Sequence, residues 1–362
     1  MRKLVTVQTI GELRPIEGAD RIEAARVLGW TVVVGKGEFQ VGERVAYFEI
    51  DSFLRGDRPE FASFLSRGSK VYPIDGVDVE GHVLRTAKLR GVVSQGLVMP
   101  LAPFAEDIYH WAVEAGEAAS TDPEWEPFEG MDITEALGVV KWEPPLPVGS
   151  GDILGPFDTR FAPKTDAIRL QSIAQAWELI QAVEWEPTVK VDGTSQTLVN
   201  DDGALRIFGR NWELDTATSS GFTVASRSGL TDAIEPGMAI QFELVGSGIQ
   251  GNKLKLQTQQ AIVFAVWRDG VKLPRSEWPS AALEHATPVL GEEFLPANFG
   301  SSEELVSFVD GLKGSITRDI RDEGVVYHPV DPNSVPTELG QLLDRNCNWK
   351  VISNSFLLKH KE

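Results

Sequence analysis

Lys190-Val191-Asp192-Gly193 sets an amine two residues from a carboxylate and ends on a glycine. On a strand, where side chains alternate, Lys190 and Asp192 share one face and Val189 and Val191 the other. A lysine acts as a nucleophile only when partly neutral, which requires desolvation or neighbouring charge. The same four residues also suit a solvated ion pair beside a turn, so both readings stand on the string alone. Farther along, residues 239–245 alternate so that Gln241 and Glu243 share one face while Phe242 and Leu244 share the other. A carboxylate on the polar face of an apolar strand suits a ligand contact such as a ribose; the plainer alternative is an exposed sheet face. Glu323-Gly324-Val325-Val326-Tyr327 opens a further strand with a carboxylate. Asn348-Trp349-Lys350-Val351-Ile352 places a lysine inside an apolar strand, which is costly unless an anion pairs with it. Phe264, within residues 261–267, reads as core more readily than as a stacking ring.

Other chemistries are set aside. Gly246-Ser247-Gly248-Ile249-Gln250-Gly251 matches the dinucleotide-binding fingerprint, which needs a helix after the loop. Residues 252–256 alternate instead like a strand. No G-x-x-x-x-G-K-[ST] string exists for a P-loop. The single cysteine, Cys347, excludes an intramolecular disulfide and any multi-cysteine zinc site. His82, His110, His285, His328 and His360 show no metal-ligand spacing.

The elements that must position these groups come next. A chain of 362 residues suits two domains, and its 42% hydrophobic and 24% charged composition is globular. The net charge of −19 excludes binding of nucleic acid through a broad basic coat. Residues 1–100 nevertheless carry 14 basic against 13 acidic residues, whereas residues 101–150 carry 1 against 11. Nearly neutral, the first hundred could still meet a phosphate backbone. No run of about 18 apolar residues occurs and the opening ten lack an apolar signal core, so the chain reads as soluble and cytoplasmic, with no membrane partner.

Residues 30–34 and 45–50 are β-branched and aromatic runs set off by Gly35-Lys36-Gly37 and Gly42. Residues 83–98 continue in this style, with Lys88 and Arg90 among apolar neighbours, and the whole predicts a small β-barrel. Asp122, Glu124, Glu126 and Glu129 around two prolines predict an exposed acidic loop. The Pro- and Gly-rich residues 144–155 predict the domain boundary, giving domains 1–148 and 149–362. In the second, Leu170, Ile173, Trp177 and Ile180 predict one face of a helix. Ser301 and Glu304 predict a capping box. Strands are expected at 188–198, 204–208, 239–245, 261–267, 325–330 and 349–352, with hairpin turns at Asp201-Asp202-Gly203 and Asp269-Gly270. The class is α+β, with mainly antiparallel sheets and flanking helices.

Taken together, Lys190, Glu243, Phe264, Glu323 and Lys350 come in an order that resembles the covalent nucleotidyltransferases, the superfamily of polynucleotide ligases and RNA capping enzymes. Lys190-Val191-Asp192-Gly193 looks like their motif I, Gly209-Arg210-Asn211 like motif Ia and Gln241-Phe242-Glu243-Leu244 like motif III. Phe264 sits where motif IIIa supplies a ring, Glu323-Gly324-Val325-Val326 looks like motif IV and Trp349-Lys350-Val351-Ile352 like motif V. Pro163-Lys164-Thr165-Asp166 with Arg169 and Gln171, Gly248-Ile249-Gln250-Gly251-Asn252-Lys253, Pro15-Ile16-Glu17-Gly18-Ala19-Asp20 and Gly138-Val139-Val140-Lys141-Trp142-Glu143-Pro144 are similar to family-5 RNA ligases. That resemblance implies an OB-like barrel at the amino end, before an adenylyltransferase domain. It implies a monomeric RNA repair enzyme that seals nicks bearing an RNA 3′-hydroxyl, with ATP and Mg2+ or Mn2+.

By the same resemblance Lys190 carries AMP, and Glu323 with Asp192 holds the metal. Gly193 lies at the nucleotide, Glu243 contacts the ribose and Phe264 stacks on adenine. Arg210 and Lys350 hold phosphates, while Lys164 and Arg169 meet the triphosphate or the nucleic acid unless they form an exposed basic loop; His328 is structural. Two departures stand out. Phe242 replaces the glycine common before the motif III glutamate and is expected to alter how closely that strand approaches the nucleotide. Asn348 stands where many ligases have a first motif V lysine, which leaves Lys350 in need of another phosphate-binding partner. The alternatives are a capping guanylyltransferase, a DNA ligase, or a non-catalytic nucleic-acid-binding protein.

Overall fold

Alternation of Trp30, Val32 and Val34 with Thr31, Val33 and Gly35 buries one side of the strand Trp30–Gly35, the period-two pattern of a half-buried sheet. In the computed structural model, which describes residues 2–122, 124–143, 150–164, 166–343 and 347–360, this strand forms an antiparallel sheet with Ile22–Val27 and Glu12–Pro15. The chain divides into two compact units, Met1–Pro144 with Leu357–Glu362, and Pro145–Phe356. The expected boundary between residues 148 and 149 and the quoted Pro144 and Thr165 lie outside the described residues.

In the first unit, Val5–Thr9, Arg44–Phe48 and Leu97–Pro100 form a second sheet. Its middle strand is buried on both sides. Ala46 and Phe48 enter one apolar cluster, while Val45 and Tyr47 enter another with Trp30 and Val32. Residues 83–98 are not one run. Val77–Val83 ends, Ala87–Leu89 and Val92–Ser94 make a short hairpin, and Leu97–Pro100 follows. Arg90 and Gly91 turn that hairpin with positive φ, which leaves Lys88 and Arg90 exposed. The acidic stretch is largely exposed, and its Glu126 pairs with Arg44.

The second unit holds two sheets. Seven strands run in the order Ile153–Pro156, Trp212–Leu214, Ala204–Phe208, Thr194–Asp201, Met238–Val245, Gln260–Arg268, Val271–Lys272, with every pairing antiparallel. Four strands run in the order Ile168–Arg169, Trp349–Ile352, Gly324–Pro329, Trp185–Lys190. The Asp202–Gly203 and Asp269–Gly270 turns are hairpins with positive φ at both residues, as their sequences predict. Ser301 caps the helix Ser302–Val309 through Glu304 N, while the Glu304 carboxylate reaches back to Gly300 N.

Three expectations need correction. The strand foreseen at 188–198 is two strands, Trp185–Lys190 and Thr194–Asp201, in different sheets. Strand-forming residues resume directly after Asp192-Gly193, so the sequence reads as one run across the break. The helix expected at 170–180 is a 3-10 segment, Leu170–Ala176, kinked at Ile173 and followed by a short helix, Trp177–Gln181. Residues 252–256 form turns, not a strand, pinned by Asn252 Nδ2 donating to Leu256 O at 2.8 Å. No helix among the described residues is long and apolar enough to cross a membrane.

Candidate active site

Lys190 is the last residue of Trp185–Lys190, at the point where the chain leaves the four-stranded sheet for the seven-stranded one. It pairs across the ladder with Gly324, which brings the preceding residue, Glu323, alongside. Lys190 Nζ lies 2.6 Å from Glu323 Oε1. The other oxygen, Oε2, is buried with no hydrogen-bond partner among the described residues. Glycine is required at 324, because a Cβ there would collide with the Val351 carbonyl. Asp192 does not share a strand face with Lys190, since it lies in the connection between the two strands. Its Oδ2 sits 2.9 Å from Lys253 Nζ.

Glu243 is reached from the neighbouring sheet. Ser195 pairs with it across the ladder, and Gly193 packs against its strand. Phe242, one residue earlier, points to the opposite face and is fully buried among Leu198, Ile207, Ile240 and Leu244. The replacement of glycine by Phe242 therefore fills core and does not narrow the side that carries Glu243. Gln241 pairs with Ala265 and Phe242 with Val263, so Phe264 is the extra residue of a β-bulge. Bulges re-aim a side chain beside functional sites, and Phe264 stays half-buried on the face holding Phe208 and Trp267.

Two cations, Arg210 and Lys350, converge on one carboxylate, Asp166. Arg210 lies in the tight turn between Ala204–Phe208 and Trp212–Leu214, closed by Gly209 N donating to Trp212 O at 2.9 Å. Its guanidinium is 3.2 Å from Asp166 Oδ2, and Lys350 Nζ is 3.3 Å from Asp166 Oδ1. Lys350 thus stands next to Arg210, which supplies the second cation that Asn348 does not. Arg169 is buried in a strand that runs parallel to Trp349–Ile352 and pairs with Lys350, so it is no exposed loop residue. Lys164 is exposed and donates to Asn211 Oδ1 at 3.1 Å. His328 sits apart, its Nδ1 2.9 Å from Lys272 Nζ, with a pKa pushed well down by burial and by Lys272 and Arg275.

The comparisons with known proteins point one way. An OB-fold domain family matches residues 4–101, and the RNA ligase family matches residues 183–340. A ligand-free point variant of the Naegleria gruberi RNA ligase is 35% identical, with a TM-score of 0.79, over 99% of this chain and 98% of its own. The chain belongs to the RNA ligase family. The Naegleria gruberi enzyme has also been solved as a variant with ATP and Mn (34% identical, TM-score 0.78, covering 99% of each chain). With PPi it is again 34% identical at a TM-score of 0.78, covering 100% of this chain and 99% of that one. No curated protein sequence matches. The ligase thus joins an OB-fold domain to a ligase domain of mainly antiparallel sheets.

Burial and clustered carboxylates compete to set the electrostatics of this site. Desolvation pushes the Lys190 pKa down, but the carboxylates of Glu323, Glu243 and Asp192 outweigh it and leave the amine above its ordinary value. Glu243 is raised to about 8, by burial first and then by Glu323 and Asp192, against the opposing pull of Lys190 and Arg210. Among the described residues no three His, Cys, Asp or Glu side chains converge as a ready-made metal cage. Sequence reasoning assigned no role to Lys253, Asn211 or Asp166, although all three lie within the motif strings. Their parts depend on contacts between segments far apart in the chain, for which spacing holds no signal.

Proposed function

We propose that this ligase joins a 3′-hydroxyl to a 5′-phosphate at a nick with an RNA 3′ end, through a lysyl–AMP intermediate. The observation that carries the reading is the Lys190–Glu323 contact, an amine against a buried carboxylate with Glu243 and Asp192 close by. The relatives solved with ATP and Mn, with AMP and Mn, and with PPi supply the chemical class of ligand.

In the first step Lys190 Nζ, having lost its proton, attacks the α-phosphorus of ATP. A P–N bond forms and pyrophosphate leaves. An oxygen of the 5′-phosphate then attacks the adenylyl phosphorus, which frees the lysine. Finally the 3′-hydroxyl attacks the activated 5′-phosphorus and AMP departs. All three are in-line phosphoryl transfers, so positioning and charge neutralisation do most of the catalysis. Arg210 and Lys350 would hold phosphate oxygens, with Arg169 paired to Lys350 across the strands and Lys164 at Asn211, next to Arg210. Glu243 would meet the ribose, and Phe264 the face of the adenine. Gly193 lets the lysine turn sit close to the Glu243 strand.

The buried Glu323 Oε2, with no hydrogen-bond partner among the described residues, would suit a hard divalent cation, Mg2+ or Mn2+, with Asp192 as a second carboxylate. Held there, such an ion would supply positive charge, which would weaken the hold of Glu323 on the Lys190 proton. Residues 1–148 would hold the nucleic acid and residues 149–362 the nucleotide. The test is incubation with each α-labelled nucleoside triphosphate and Mg2+ or Mn2+, followed by a denaturing gel. ATP alone should label the protein, by an acid-labile, alkali-stable bond. Labelling by GTP, or undiminished labelling of Lys190→Ala, would overturn the assignment.

A further inference from the structure

The segment before Ile168–Arg169 is tied to both sheets of the ligase domain. Gln241 Nε2 donates to Pro163 O at 2.9 Å, and Lys164 reaches Asn211. Asp166 presents one oxygen to Lys350 at 3.3 Å and the other to Arg210 at 3.2 Å. Two cations from different sheets are thereby gathered on one carboxylate. Lys350 is only 12% exposed, so its charge is costly without an anion beside it. A carboxylate taking one cation on each oxygen reproduces what two non-bridging oxygens of a phosphate would do.

We propose that Asp166 is a built-in counter-anion that a phosphate of the incoming nucleotide displaces, making it the residue that sets how much anionic charge a ligand needs to enter. This rests on the reading of Arg210 and Lys350 as phosphate holders. The physics is an ion exchange. With its charge neutralised, the pair gains little from a ligand of low charge, because binding it means giving up the tethered carboxylate. A polyphosphate offers more charge and more oxygens than Asp166 does, and wins the exchange. The geometry permits this, since Asp166 lies before a strand of two residues and its side chain is 24% exposed, open enough to swing aside. Asp166 acts through the two cations and is therefore a positioning residue for anion selection.

The test uses the full chain in metal-free buffer, with titration calorimetry of inorganic pyrophosphate, inorganic phosphate and adenosine. Asp166→Asn should bind pyrophosphate about five- to tenfold more tightly, the scale of losing competition from partly exposed ion pairs. It should also gain measurable affinity for inorganic phosphate. Adenosine affinity should not change, and Asp166→Glu should behave like the native protein. Equal or weaker pyrophosphate binding by Asp166→Asn would overturn the proposal, as would a parallel loss of adenosine binding, which marks a merely structural role. Lys350→Ala distinguishes the two levels. If it weakens pyrophosphate binding, the phosphate reading stands whatever Asp166→Asn does; if it does not, that reading and the exchange fall together.

Discussion

Gly193 and Glu243 are packed so closely that a single methyl group would force them apart. A Cβ on Gly193 would lie 2.8 Å from Glu243 Cγ and 2.7 Å from Val245 Cγ1, and closer still to the Leu244 carbonyl. The backbone oxygen cannot yield as a flexible side chain would. Gly193→Ala should therefore displace Glu243, destabilise the fold by about 1–3 kcal/mol and reduce lysine adenylylation. Chemical denaturation and the labelling gel check both parts; native stability with native labelling would show that the strand adapts.

Lys190 is held protonated by its carboxylate neighbours until something offsets them. Lys190→Ala should abolish labelling. Glu323→Ala should lower it by about 10²–10³-fold, the scale of removing one electrostatic support from a transition state. The Glu323 variant should need more Mg2+ or Mn2+ for half-maximal labelling, which a metal titration reads directly. Because its folded pKa is raised, the Lys190 ion pair contributes stability that is complete below the unfolded lysine value and lost as pH rises through the folded one. Lys190→Met should flatten that alkaline loss in a thermal-melt series.

Glu243 makes a second pH prediction. Its pKa of about 8 leaves it neutral at pH 7 and charged above pH 9. An ionised carboxylate repels a nucleoside triphosphate, so metal-free ATP affinity should fall as pH rises through about 8. Glu243→Gln, which mimics the neutral form, should remove that step. Fluorescence titrations at intervals from pH 6.5 to about pH 9.5 separate the two cases.

The proposed nucleic-acid binding by the first unit can be tested on the exposed hairpin that carries Lys88 and Arg90. Reversing both charges to glutamate should leave lysyl–AMP formation unchanged while slowing nick sealing, and the difference should shrink as salt rises. Unaltered sealing at low salt would place the nucleic-acid contact elsewhere on the unit.

A pair of nicks differing only in the terminal 3′ sugar tests the substrate class. The ribonucleotide end should seal faster, through a contact to the 2′-hydroxyl. Equal rates on ribo and deoxy ends would defeat the preference for RNA.

Much of this protein was legible in one dimension because its signals are local. Turn residues such as Asp202–Gly203 carry their own φ preferences, and the Ser301 cap needs only a neighbour three residues on. The motif strings, in order, were enough to mark Lys190, Glu243, Phe264, Glu323 and Lys350 as candidates for one site. What the sequence could not decide depends on which distant segments meet. The change of sheet after Lys190 left no mark beyond Asp192-Gly193, since strand-forming residues flank that pair on both sides and either sheet accepts them. Phe242 looked like an intrusion on the nucleotide, yet the pleat turns it into the core while Glu243 faces the other way. Only the fold brings Asp166 between Arg210 and Lys350, 44 and 184 residues away along the chain. Electrostatic interaction follows distance through space, and the tertiary structure alone sets that distance.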